Sequence, residues 1–201
     1  MRSTRSPQDI QLPAPALPEQ VTLASALQRR RSARAFLPRA LSMETVAGLL
    51  WAADGINRAN TGGRTAPSAR NWQEVDVYAV LQDGAYRYDP AAARLVLVNE
   101  GDVRALTGLQ DFVAGAPLDL VYVVDFDRMT DIPVLQREFF AGTDTGVIAQ
   151  NVYLYCAAAG LATVVRAMVD RKRLAAALSL RSSQRIALAH TIGYPAPEAA
   201  G

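Results

Sequence analysis

The sequence predicts an α+β fold, a mixed or antiparallel sheet packed by helices, and three observations carry that expectation. Short β-branched runs, Val75–Leu81, Leu118–Val124 and Ile186–Tyr194, fall between helical stretches in no regular βαβ order. Gln82-Asp83-Gly84 reads as a turn that folds the first run back onto Ala85–Tyr88 as a hairpin. The stretch from about Asp144 to Ala159 is apolar on nearly every face, which a helix tolerates only when buried in a core or a subunit interface.

Taken in order, residues 1–20 are rich in proline and polar groups and are expected to form an extended arm, leaving 21–201 as one domain. Thr22 is placed to cap a short helix with Leu23, Ala26 and Leu27 on its apolar side. Ser42 caps the next, where Val46, Leu49, Leu50 and Ala53 fall on one face, and Gly55 is expected to end it in a left-handed turn. Residues 56–71 read as a long polar loop with a Gly62-Gly63 turn, and loops of that length are usually functional or disordered. Arg94–Val98 is a further strand, and Asp102 to about Leu109 a helix. Pro117 opens the central β-branched run, Gly160 ends the long helix, and Leu161–Arg166 is a strand. A charged helix over Asp170–Leu178 precedes the last strand.

Composition narrows the chemistry. The chain is 50% hydrophobic and 20% charged, with a net charge of +2, so no whole-molecule field calls for a polyanionic partner. Lys172 is the sole lysine, which confines lysine chemistry to one position. Cys156 is the sole cysteine and His190 the sole histidine, which excludes an internal disulfide and the usual cysteine- or histidine-rich metal sites. His190 alternates with apolar residues on a strand face and Cys156 sits mid-helix, so both read as structural. No Gly-x-Gly-x-x-Gly or Gly-x-x-x-x-Gly-Lys run marks a dedicated nucleotide domain. No signal peptide or membrane span is evident, so a cytoplasmic protein that makes no use of membrane is the expectation.

Two segments carry candidate ligand chemistry. Arg30-Arg31-Ser32-Ala33-Arg34 offers guanidinium groups and a hydroxyl to the oxygens of a phosphate monoester. By itself an arginine cluster is more often solvated surface, and with no interleaved aromatic residues it is a poor nucleic-acid site. In Arg64-Thr65-Ala66-Pro67-Ser68-Ala69-Arg70-Asn71-Trp72-Gln73, proline fixes the backbone, small residues permit close approach, and Ser68 and Asn71 supply hydroxyl and amide. That suits a ribityl chain and ring edge, and equally an ordinary proline turn.

These segments, with LLWAADGINR at 49–58, VIAQNVYLYCAAAGLATVV at 147–165 and TIGYP at 191–195, resemble in order and spacing the nitroreductase family, most closely its SagB-type dehydrogenase branch. The resemblance implies an intertwined homodimer, through the long buried helix, with FMN at the subunit interface. It assigns Arg30, Arg31, Ser32 and Arg34 to the phosphate end, and Pro67, Ser68, Ala69 and Asn71 to an approach from the other subunit. It sets Val165, Arg166, Ala167 and Met168 along the flavin ring. NAD(P)H would be a transient reductant, with no dedicated domain, and a small electron-poor acceptor such as a nitroaromatic or quinone the oxidant. Two departures stand out: the Pro-x-Glu-Gly run common in reductases of the family is Val165-Arg166-Ala167-Met168 here, and no basic residue follows Arg185. The lysine-tyrosine pair of the azoline dehydrogenases is absent. Flavin-dependent oxidation of a peptide-derived intermediate, or flavin binding without turnover, remain the alternatives. Side chains alternate along a strand, so Arg166 either faces the ring as a fixed cation or turns away to meet a carboxylate.

Overall fold

The computed structural model describes residues 8–197. Its elements run β1 (Ile10–Gln11), α1 (Leu23–Arg29), β2 (Phe36–Leu37), α2 (Met43–Asp54), β3 (Ile56–Arg58), β4 (Gly63–Arg64), β5 (Val75–Val80), β6 (Gly84–Asp89) and β7 (Arg94–Glu100). They continue with β8 (Leu118–Asp125), α3 (Val134–Ala159), β9 (Ala162–Arg166), α4 (Arg171–Ala177) and β10 (Gln184–Pro195). The principal sheet is ordered β1-β7-β6-β5-β8-β10-β2, with β9 along the other edge of β10. Every pairing described in it is antiparallel.

Period-two alternation divides this sheet into two apolar faces. Val75, Val77 and Ala79 of β5 and Leu118, Leu120, Tyr122 and Val124 of β8 turn to one side, where Leu49 and Leu50 of α2 and Ile148, Val152 and Cys156 of α3 cover them. Tyr78, Val80, Val121 and Val123 turn to the other, where Leu174 and Leu178 of the α4 segment close over them. A strand covered on both faces is buried at every step, and all eight residues of β8 are, its two aspartates, Asp119 and Asp125, included. The caps form as the sequence indicates: Thr22 and Ser42 accept from Ser25 N and Thr45 N, each at 3.2 Å, and Gly160 ends α3 at φ 70°. His190 and Cys156 are fully buried, as their surroundings in the sequence suggest.

Several expectations are corrected. Gly55 leaves α2 with extended backbone (φ −75°, ψ 162°); glycine is required there because a Cβ would lie 2.5 Å from Trp51 Cδ1, not because the turn is left-handed. The loop over 56–71 contains the β3–β4 hairpin. Within the arm, whose residues 1–7 lie outside the described residues, β1 adds a strand to the sheet edge and Ala16 O accepts from Tyr155 Oη at 2.7 Å. The helix expected from Asp102 is a single 3-10 turn, Arg104–Leu106, because Asp102 spends its carboxylate on Arg104 and the chain beyond is drawn to β9. Finally, α3 starts at Val134, ahead of Asp144; its first turns carry exposed Leu135 and Phe139 and lack the apolar pattern that marks the rest.

Candidate functional site

The arginine segment leaves α1 at Arg30 and runs extended along the outer edge of β9, where Ala33 N donates to Thr163 O at 3.0 Å. Pairing of β2 with Tyr194 and Pro195 fixes its far end. A cavity of about 480 Å³ opens beside it, with Arg29, Arg30 and Arg31 on one wall and Tyr153, Gly160 and Thr163 among the residues opposite. Ser32 lies outside that wall and meets Tyr153, Oγ to Oη 2.8 Å. Arg30 is half-buried with its Cζ 5.3 Å from the Tyr153 ring centroid, and Arg34 stands exposed outside the cavity. None of Arg29, Arg30, Arg31 and Arg34 has a carboxylate partner among the described residues. Unpaired guanidinium groups on a concave wall are what an anion needs and what a self-contained surface network lacks.

Tyr153 is the residue that reading the motifs missed. Its hydroxyl also accepts from Val165 N at 3.0 Å, so one side chain joins the arginine segment to β9. The available signal was a tyrosine in a helix apolar all round, since a buried phenol has to find polar partners.

The second segment is held by its own unusual backbone. Arg70, Asn71 and Gln73 all adopt positive φ (50°, 55° and 49°), a region that costs non-glycine residues free energy and persists only where neighbours enforce it. Gln73 does so: its N–H donates to Ser68 Oγ (3.0 Å), its Nε2 to Gly62 O (3.3 Å) and Asn71 Oδ1 (3.2 Å), and its Oε1 accepts from Arg64 Nε (3.2 Å). Pro67 and Asn71 are left exposed, Ser68 and Ala69 half-buried, and Ala69 N donates to Asp144 Oδ2 at 2.8 Å. The two segments therefore contact different turns of α3, one at Asp144 and one at Tyr153, about 13 Å apart along its axis. One chain does not bring them together.

Beneath this loop Glu74 is fully buried and finds no hydrogen-bond partner among the described residues. Burial, with Asp144 beside it, pushes its carboxyl up to about 7, and burial likewise raises Asp54 to about 7 against the pull of Arg64. A carboxyl raised on folding favours the protonated state, so its contribution is present at low pH and lost as pH rises through the raised value. The melting temperature is expected to fall between pH 5 and 8, and Glu74→Gln to flatten that fall. Thermal denaturation across the range checks this; an unchanged slope in the variant removes Glu74 from the account.

Along β9 the four expected residues divide. Val165 is half-buried with its N–H held by Tyr153, while Ala167 and Met168 are exposed. Leu109, 66% exposed, joins them as an apolar shelf by donating its N–H to Met168 O at 3.1 Å. The Arg166 side chain is turned away. It is 5% exposed and its guanidinium meets Asp119 Oδ1 (2.9 Å), Thr191 Oγ1 (2.9 Å) and Thr107 O (2.8 Å). Burial pushes Asp119 up to about 6, opposed by Arg166 and the Thr191 hydroxyl. Of the two orientations open to the Arg166 side chain, it takes the one that meets a carboxylate.

The nitroreductase family model matches residues 27–194. A nitroreductase-type protein of Methanocaldococcus jannaschii is 31% identical over 156 residues, 73% of this chain and 78% of the relative. The crystal structure of a nitroreductase-type protein of Ralstonia eutropha JMP134 superimposes with TM-score 0.90 at 44% identity, covering 96% of this chain and 92% of that one. A nitroreductase-type protein of Desulfovibrio desulfuricans, solved in complex with FMN, shares the fold with TM-score 0.65 at 23% identity over 90% of each chain.

Proposed function

Because the chain belongs to the nitroreductase family, we propose that it is a homodimeric FMN-dependent oxidoreductase that takes reducing equivalents from NAD(P)H and passes them to an electron-poor acceptor such as a nitroaromatic or quinone. The observation that carries this reading is the wall of arginines, without carboxylate partners among the described residues, beside the Ser32–Tyr153 contact. Its donor set fits a phosphate monoester, and the exposed Leu109, Ala167 and Met168 fit a planar ring. FMN, when bound, supplies the two-electron chemistry.

The protein's own residues bind and orient. Arg30, Arg31 and Ser32 would hold the phosphate, with Arg34 available at the segment's exposed end. Pro67, Ser68, Ala69 and Asn71 are too far along α3 to join them within one chain, so the reading gives that contribution to a second copy. The strained, cross-braced loop suits such a task, because a preformed surface loses little freedom on binding. No protein acid is assigned: burial against Tyr122 holds His190 down to about 3 and keeps it neutral.

The test is direct. The purified protein should be yellow and release FMN on denaturation, identified by absorption and mass, and should oxidise NADH or NADPH in the presence of a quinone. FMN without nicotinamide oxidation would identify a flavin-binding protein without turnover, and no flavin would overturn the proposal. Sedimentation should give about twice the chain mass; a monomer that binds FMN would contradict the shared site.

A further inference from the structure

We infer that Tyr153 is a positioning residue, which aims the Ser32 hydroxyl proton at an anionic phosphate oxygen. This rests on the proposal that the site takes FMN.

The argument is one of donors and acceptors. Val165 N is a backbone amide and can only donate, so at 3.0 Å it fills one lone pair of the Tyr153 oxygen. The phenol has a single proton of its own. Tyr153 is 7% exposed, and the one other hydrogen-bond partner of its hydroxyl among the described residues is Ser32 Oγ, at 2.8 Å. A serine donating inward would leave the proton of a phenol that is 7% exposed with no acceptor among the described residues, which is costly. The proton therefore runs outward, from amide to phenol to serine, and the serine proton is left pointing away from Tyr153 on the exposed side of the segment.

Three contacts hold the ring so that this direction persists. The His190 ring packs on it with centroids 4.8 Å apart, and His190 is itself fixed by Tyr122 Oη at 2.9 Å from Nδ1. On its other approach stands the Arg30 guanidinium. Hydrogen bonds in series polarise one another, so an amide behind the phenol makes Ser32 a better donor than a free serine. Arg30, over the Tyr153 ring, and Ser32, on its hydroxyl, meet the same side chain, so Arg30 would supply charge and Ser32 a directed proton to one phosphate.

The test compares FMN with riboflavin, which lacks the phosphate, by fluorescence titration of the wild type, Tyr153→Phe, Ser32→Ala and the double variant. Ser32→Ala should weaken FMN about tenfold, as for a bond to a charged group. Tyr153→Phe, which keeps the ring, should weaken it severalfold, with riboflavin affected by less than a factor of two in each. The double variant should be no worse than Ser32→Ala, because Tyr153 acts through Ser32. Unchanged FMN affinity in Tyr153→Phe, equal losses for the two ligands, or losses that multiply would each overturn the inference. Replacement of Tyr153 by fluorotyrosine, a stronger donor of the same shape, covers the event that Tyr153→Phe does not fold: the FMN-to-riboflavin affinity ratio should rise, and an unchanged ratio overturns the inference. Wild-type protein that binds neither flavin defeats the functional proposal itself, a result distinct from all of these.

Discussion

Arg166→Ala is expected to cost about 3–5 kcal/mol of stability, the usual penalty for leaving one member of a buried ion pair without the other. The site gives the remaining carboxylate no escape. Asp119 is fully buried, its Oδ1 is bound by Arg166 and by the Thr191 hydroxyl, and its Oδ2 has no partner among the described residues. The same guanidinium holds Thr107 O and sits where any side chain at Gly108 would be, a Cβ there falling 1.8 Å from Nη1. Its removal therefore also frees the connector that brings Leu109 to Met168. For a chain of this size the melting temperature should fall by roughly 6–20 °C. Arg166→Lys should recover little, because an ammonium cannot reproduce a planar fork reaching three acceptors. Arg166→Met combined with Asp119→Leu should recover most of the loss, since neither member of the pair is then left as an unpartnered buried charge. A loss under about 1 kcal/mol in Arg166→Ala, read by chemical denaturation, would show that water reaches Asp119. The Arg166 guanidinium is spent within the fold, on Asp119, Thr191 and Thr107 O.

The sequence made the helices and central strands legible where one periodicity governed several turns. Val46, Leu49, Leu50 and Ala53 repeat on one face of α2, and the β-branched run at Leu118 is buried from end to end. It misled where a tertiary contact outweighs local pattern. Residues from Asp102 onward have the composition of a helix, yet Thr107 O and the space at Gly108 belong to Arg166, sixty residues away in sequence. Gly55 was rightly identified as a stop and wrongly explained, since crowding by Trp51 and left-handed backbone select the same residue. For the site, the arginines and Ser32 were visible as a motif, because charge and hydroxyl chemistry are written in the residue types themselves. Tyr153 was not, because its role depends on which atoms its hydroxyl meets, and those lie on two other segments. Likewise the buried Glu74 follows a run of polar loop residues, and nothing in that run indicates that the chain dives beneath Asp144 there.

Arg30→Ala should weaken FMN by ten- to hundredfold while changing riboflavin affinity by less than about threefold. One charge-assisted contact to a phosphate is worth about 1.5–3 kcal/mol, and each 1.4 kcal/mol is tenfold in affinity. Arg30 is the cation of the segment best placed to supply it: half-buried, without a carboxylate partner among the described residues, and braced against the Tyr153 ring, so little side-chain freedom remains to be lost on binding. Arg34 is fully exposed, and Arg34→Ala should cost less, because a mobile guanidinium in water is screened by solvent and salt. The contrast between ligands is what makes the measurement decisive, because a variant that merely disturbs the fold weakens both. Equal losses for FMN and riboflavin would remove Arg30 from the phosphate site, and a loss larger in Arg34→Ala than in Arg30→Ala would move the phosphate to the exposed end of the segment.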